Sequence, residues 1–102
     1  MKQLPKKVPI KGVTYAIKLV SEKNPTNLLG DDGRIHEGAI DNETCIIYIA
    51  NYITLEKQWS ILFHEIVHAI EYSSSCKNLS QESCVEIVGT ETFTVIRAMG
   101  LL

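Results

Sequence analysis

The chain has 102 residues, of which 45% are hydrophobic and 22% charged, and its formal net charge at pH 7 is −2. A chain of this length has room for one modest hydrophobic core, so we predict a single domain over residues 1–102. The slightly negative charge and the lack of a basic stripe argue against a nucleic-acid-binding surface.

The N-terminal half is predicted to form a sheet, within about residues 8–51. Apolar residues alternate with less apolar ones from Val13 to Leu19, which is typical of a strand with one buried face. A shorter extended stretch, at Val8 and Ile10, precedes it. Residues 21–34 are rich in Asn, Asp, Gly and Pro and predict a long loop.

The next two predicted strands, residues 34–41 and 45–51, are joined at Asn42-Glu43 and form a hairpin. We therefore expect about three antiparallel strands. Which strand lies at the edge of the sheet does not follow from the sequence.

Two helices are predicted to follow the sheet. The first spans residues 54–75 and begins at Thr54, a good N-cap residue. Its apolar stripe consists of Trp59, Leu62, Phe63, Ile66 and Ile70. The second spans residues 80–99, begins at Ser80, and has a stripe of Val85, Val88, Ile96 and Met99 with Phe93 at one side. The predicted fold class is α+β, with the small sheet packed on two helices.

The first helix contains the sequence His64-Glu65-Ile66-Val67-His68. Residues four apart lie on one face of a helix, so two imidazoles can bind one metal ion there. Glu65, between them, is a candidate general base for a metal-activated water. The alternative is a pair of exposed histidines on a solvated face, which would not require a glutamate at this position.

A catalytic zinc ion usually has three protein ligands, so the two histidines are not a complete set. No histidine follows His68, which excludes the extended metzincin pattern. Glu82 and Glu86 of the second helix are the candidate carboxylates. Helical geometry favours Glu82 as the third ligand, with Glu86 accepting a hydrogen bond from a ligand histidine. Alternatively, both glutamates only stabilise the positive N-terminal end of their helix. A further alternative is that a cysteine is the third ligand.

The sequence around these residues resembles the gluzincin pattern, in which an H-E-x-x-H helix precedes a helix with E-x-x-x-D or E-x-x-x-E. It is most similar to short phage- and prophage-encoded relatives of the ImmA/IrrE metallopeptidases. The specific part of the resemblance covers residues 62–89. It implies that His64, His68 and Glu82 bind zinc and that Glu65 is the base. Thermolysin-type gluzincins have aspartate at the position of Glu86, so the resemblance implies its supporting role less directly. Because the linker between Tyr72 and Glu82 is short, either glutamate remains possible as the third ligand.

The sequence thus predicts a zinc-dependent peptidase that acts on a protein or peptide substrate. Zinc would polarise the scissile carbonyl and lower the pKa of bound water towards about 7, while Glu65 would carry the proton. His36 and Tyr72 are the candidates for stabilising the oxyanion. The rival hypothesis is a phage-type metal-binding or inactive protein-interaction module without catalysis.

The predicted compartment is the cytoplasm of a bacterial or phage-infected cell. The longest uncharged apolar stretch, residues 45–55, is well short of the ~20 residues that span a membrane. No apolar stretch typical of a secretory signal follows the N-terminal lysines. The cysteines, Cys45, Cys76 and Cys84, are odd in number and lack C-x-x-C spacing, so no disulfide framework is expected.

Overall fold

The computed structural model describes residues 1–74, 85, 86, 88–90, 92, 93 and 96. These residues form one sheet and its covering helices, which confirms the predicted α+β class. The elements in chain order are β1 (Lys7–Ile10), β2 (Val13–Val20), a 3₁₀ turn (Thr26–Leu28), β3 (Gly38–Asp41), β4 (Ile46–Ala50) and α1 (Leu55–Ser74).

The sheet has four strands in the order β1-β2-β4-β3. The two hairpins, β1–β2 and β3–β4, are antiparallel, but β2 and β4 pair in parallel from Ala16↔Ile46 to Val20↔Ala50. The prediction of an antiparallel sheet of about three strands was therefore wrong for this pair and short by one strand. Parallel neighbours need a crossover of a dozen or more residues, which the long loop and β3 supply. The crossover leaves β3 at an edge of the sheet.

Local backbone geometry explains both hairpins. Lys11 and Gly12 have φ angles of 49° and 83°, the positive values that a tight β1–β2 turn requires. In the β3–β4 turn, the Asp41 carboxylate accepts hydrogen bonds from the backbone N–H groups of Glu43 and Thr44 at 3.0 and 3.2 Å. These bonds, the one from Thr44 foremost, lower the pKa of Asp41.

Helix α1 begins as predicted, since the Thr54 Oγ1 atom accepts a hydrogen bond from the Lys57 N–H at 3.2 Å. It packs on the face of the sheet that carries Ile10, Tyr15, Ile47 and Ile49. The buried positions of α1 are Gln58, Trp59, Leu62, Glu65, Val67 and Ala69. The sheet-facing side thus follows a 58-62-65-69 spacing.

The predicted apolar stripe of α1 is correct at one end only. Trp59 and Leu62 are buried, and Phe63 and Ile66 pack partly buried against the core. Ile70, however, is 38% exposed, while Ala69 beside it is fully buried. Hydrophobicity alone favours isoleucine over alanine at a core position, but a small side chain allows the helix to approach the sheet closely.

The long loop after β2 is tied to the opposite face of the sheet. Leu28, in the 3₁₀ turn, is fully buried and packs with Val20 and Ala50 in a second, smaller cluster. This segment is therefore an anchored connection with a short helical turn.

The described residues between 85 and 96 are helical, in agreement with the predicted second helix. Among the described residues of this helix, Val85, Gly89 and Phe93 are buried, and Val88 is 40% exposed. The predicted stripe was therefore wrong at Val88. The start of this helix at Ser80 and its last stripe residue, Met99, lie outside the described residues.

In the part of the chain that the structure describes, no helix combines the length and hydrophobicity of a membrane span. Cys45 is a free thiol. Cys76 and Cys84 are outside the described residues, so the expectation about a cysteine ligand concerns positions that the structure does not describe.

Candidate metal centre

All three histidines of the chain line one cleft of about 640 Å³. The segment leading into β3 contributes His36 to its wall, and α1 contributes His64 and His68. The described part of the second helix contributes Glu86 and Thr90. The cleft therefore lies where the edge strand β3 and the two helices meet.

The metal group consists of His64, Glu65 and His68. One potential ligand atom from each residue lies within 4.8 Å of the others. The two imidazole rings have centroids 4.9 Å apart and are inclined by 71°, as expected for side chains one helical turn apart. This group is positioned to bind a metal ion, as the H-E-x-x-H spacing predicts.

Glu65 is the buried member of this group, with 5% of its surface exposed. It lies on the sheet-facing side of α1, where the backbone of Gly38 in β3 passes close to the helix. A Cβ atom at Gly38 would collide with Ile61 Cγ2 and would lie 3.6 Å from Glu65 Cγ. Glycine at the start of β3 thus lets the edge strand approach the helix and cover the aliphatic part of the Glu65 side chain.

The second helix meets the metal group through Gly89. A Cβ atom at Gly89 would lie 2.9 Å from His64 Cα and 3.0 Å from His64 N, which is tighter than ordinary Cβ contacts. Because glycine has no side chain, the backbones of the two helices come together at His64, the first histidine of the motif. One turn earlier, the Glu86 Oε2 atom lies 2.9 Å from His64 Nδ1.

The contact between His64 and Glu86 has a direct chemical consequence. A carboxylate at Nδ1 accepts the Nδ1–H hydrogen, which leaves Nε2 of the same ring with the lone pair that a metal requires. The His64 side chain is 19% exposed and that of Glu86 67%, so the ring is held inside the cleft and the carboxylate at its rim. This contact is compatible with the supporting role predicted for Glu86, which stays a prediction.

Of the other predicted site residues, one is not described, one lines the cleft and one does not. Glu82, the predicted third ligand, lies outside the described residues. His36 lines the cleft, whereas Tyr72 is 59% exposed and is not among the residues that line it.

Sequence reasoning missed the two glycines and the Lys57–Glu37 ion pair at the cleft, whose Nζ–Oε1 distance is 2.9 Å. The only signal was Gly89 itself, a helix-disfavouring residue in the middle of a predicted helix.

The donor set suits a metal ion. Two imidazole nitrogens one helical turn apart can bind one ion at the wall of an open cleft, which leaves room for water or substrate beside the Glu65 carboxylate. Comparisons with protein-family models, curated proteins and solved structures find no match to this chain. The argument for its function therefore depends on the geometry of this site.

Replacing Gly89 with valine is expected to destabilise the protein by about 1–3 kcal/mol, because the added side chain must push apart two packed helix backbones. Urea unfolding followed by far-UV circular dichroism measures the change. Val88→Ala, one residue earlier and exposed, is the matched control and should change stability by less than about 0.5 kcal/mol. Equal stability of the two variants would show that the helices do not meet at Gly89.

Replacing Glu86 with glutamine is expected to weaken zinc binding about 10–100-fold, the usual cost of losing a group that orients a ligand histidine. Glu82→Gln should cost more if Glu82 is the third ligand, as predicted from the sequence. Competition with a chromophoric zinc chelator measures both affinities. If Glu86→Gln abolishes binding and Glu82→Gln spares it, the two assignments are reversed.

Proposed function

We propose that the protein is a zinc-dependent peptidase whose metal ligands include His64 and His68. The observation that carries the proposal is the placement of both imidazoles and the buried Glu65 carboxylate within 4.8 Å at the wall of an open cleft. We assign Zn²⁺ because two imidazoles and one carboxylate with one open position form a common catalytic zinc site. Glu82 is proposed as the third ligand.

Glu65 supplies the acid–base chemistry of this mechanism. A bound zinc ion would act as a Lewis acid towards water and the scissile carbonyl group. The Glu65 carboxylate removes a proton from the attacking water as the water oxygen bonds to the carbonyl carbon. Glu65 then passes this proton to the leaving amine as the carbon–nitrogen bond breaks. Burial beside Gly38 of β3 restricts the motion of the Glu65 side chain, which favours a fixed position for the base.

An extended peptide is the proposed substrate because the edge strand β3 borders the cleft. Gly38 of β3 and the preceding Glu37 line the cleft beside the metal group. At the β1 edge, Pro9 cannot donate a backbone hydrogen bond, and lysines flank it. Both features discourage pairing with another strand. β3 has neither within Gly38–Asp41, so a peptide can extend the sheet on this side.

The test compares the wild-type protein with Glu65→Gln in a bacterial lysate. Both proteins are loaded with zinc, and new peptide N-termini are identified by mass spectrometry. Cleavages that occur only with the wild type support the peptidase. Identical N-termini from both proteins, with the same partner retained in pull-downs, would identify a binding module instead.

A further inference from the structure

A second cavity, of about 340 Å³, adjoins the metal cleft along the first half of α1. We call it the side lobe, and its lining residues are Thr54, Glu56, Lys57, Ser60, Thr90 and Phe93. Three of these residues, Lys57, Ser60 and Thr90, also line the metal cleft, so the two spaces are joined. The side lobe is thus an extension of the cleft beside the metal group.

The side lobe opens close to the metal group. Ser60 precedes His64 by one helical turn, which is about 6 Å along the axis of α1. On the second helix, Thr90 follows Gly89, whose backbone packs against that of His64. Each residue of an extended peptide adds about 3.3 Å. A peptide whose scissile bond lies at the metal group can therefore place a side chain from one or two residues away in the side lobe.

Phe93 forms the floor of the side lobe, because it is buried while the other lining residues are exposed or half-buried. Its ring ends a row of aromatic rings. The ring centroid of Phe93 lies 6.1 Å from that of Phe63, and the centroid of Phe63 lies 6.1 Å from that of Trp59. The Trp59 indole N–H donates a hydrogen bond to the Lys2 carbonyl oxygen at 2.6 Å, which fixes the far end of the row. A further ring against Phe93 would extend this row at the separation of about 4.5–7 Å that aromatic pairs favour.

The walls of the side lobe combine apolar and hydroxyl groups. The Lys57 ammonium group is engaged by Glu37, just before β3, at 2.9 Å. The aliphatic part of Lys57 is therefore the part of this side chain suited to cover an apolar ligand. Thr54 and Thr90 each offer a methyl and a hydroxyl group, and Ser60 adds a hydroxyl group. An aromatic floor below such walls suits the ring of phenylalanine or tyrosine.

We propose that the side lobe is a specificity subsite that binds an aromatic side chain of the substrate against Phe93. This inference rests on the proposed peptidase function and adds the kind of residue that lies close to the cleaved bond. Phe93 is the specificity-determining residue, since contact between two rings favours an aromatic side chain over an aliphatic one of similar size. The rival occupant is a cationic side chain, which the Glu56 carboxylate would favour.

The test measures the binding of small hydroxamic acids to the zinc-loaded protein by calorimetry. Acetohydroxamic acid, which carries only a methyl group, reports on the metal alone. The 3-phenylpropano, 3-cyclohexylpropano and 6-aminohexano compounds add an aromatic, an aliphatic and a cationic group. The phenyl compound should bind about tenfold more tightly than acetohydroxamic acid and about threefold more tightly than the cyclohexyl compound. Equal affinities for the phenyl and cyclohexyl compounds, or tightest binding of the cationic compound, would overturn the proposal.

Two variants locate the binding of the ring. Ser60→Leu fills the opening of the side lobe and should remove the advantage of the phenyl compound over acetohydroxamic acid. Phe93→Leu keeps an apolar floor and should remove the preference for phenyl over cyclohexyl. Thr14→Leu, at an exposed position of β2 outside both cavities, is the control and should match the wild type.

The affinities are compared as ratios within each variant, so a general loss of zinc or stability does not imitate the loss of the subsite. If Phe93→Leu does not fold, Ser60→Leu decides alone, because Ser60 lies at a half-buried position outside the core. A phenyl advantage that survives in Ser60→Leu would place the ring elsewhere and overturn the proposal.

Acetohydroxamic acid also separates the possible failures. A wild-type protein that binds it but gains nothing from the phenyl group lacks the subsite, and the proposed function is unaffected. A wild-type protein without zinc affinity would overturn the proposed function and this inference together. A phenyl advantage that depends on Ser60 and Phe93, combined with cleavage that is unaffected by Glu65→Gln, would support the subsite and reject only the mechanism.

Discussion

Replacing Glu65 with glutamine is expected to slow peptide hydrolysis by about 10²–10⁴-fold, the usual contribution of a general base. Glutamine keeps the shape of the side chain and its polar oxygen but cannot accept a proton from water. The residue is 5% exposed and packs against the backbone near Gly38, so a side chain of equal size preserves the local packing. The rate constant is measured on a peptide that spans a cleavage site found in the lysate experiment.

The matched control for this variant is Glu56→Gln, which makes the same chemical change in the exposed first turn of α1. It should leave the rate within about twofold of the wild type, since surface substitutions of this kind perturb a protein little. Zinc content and the unfolding midpoint of Glu65→Gln should also match the wild type. A Glu65→Gln enzyme that retains full activity would remove Glu65 from the mechanism.

Replacing either His64 or His68 with alanine is expected to abolish stoichiometric zinc binding. With two imidazoles and one carboxylate as the proposed ligands, either change leaves only two protein donors, and the bound ion should be lost on mild dialysis. Elemental analysis of purified protein gives the zinc content per chain. We expect about one zinc ion in the wild type, as three donors with one open position define a single site.

His36→Ala is the control for these variants, because it removes an imidazole from the same cleft but not from the metal group. Its zinc content should equal that of the wild type. Equal zinc content in the wild type, His64→Ala and His68→Ala would refute the metal assignment. Zinc loss in all three histidine variants would instead indicate a three-histidine site.

Much of the fold could be predicted because local signals decide its elements. Thr54 begins α1 as an N-cap, and alternation of apolar residues marks β2. The β3–β4 hairpin follows from the turn residues between two apolar runs. The parallel pairing of β2 with β4 had no local signal, because it depends on where a long crossover returns the chain.

The metal group was predictable for a similar reason, since its spacing lies within a single helix. The packing around it was not. Gly38 and Gly89 contribute nothing to a hydrophobic pattern. Because neither has a side chain, the backbone of Gly38 comes close to Glu65 and that of Gly89 comes close to His64. The burial of Glu65 likewise depends on how far α1 is rotated on the sheet, and the apolar stripe predicted from the sequence does not include this residue.

The parallel β2–β4 pairing also bears on the kinetics of folding. Each hairpin joins neighbouring segments and can form within microseconds, whereas the seam from Ala16↔Ile46 to Val20↔Ala50 must close a long stretch of chain. α1 packs across β1, β3 and β4, so its complete docking surface exists only after the two hairpins have joined. Closure of this seam is therefore the slow step that we expect to limit the folding rate, and the cleft takes shape after it.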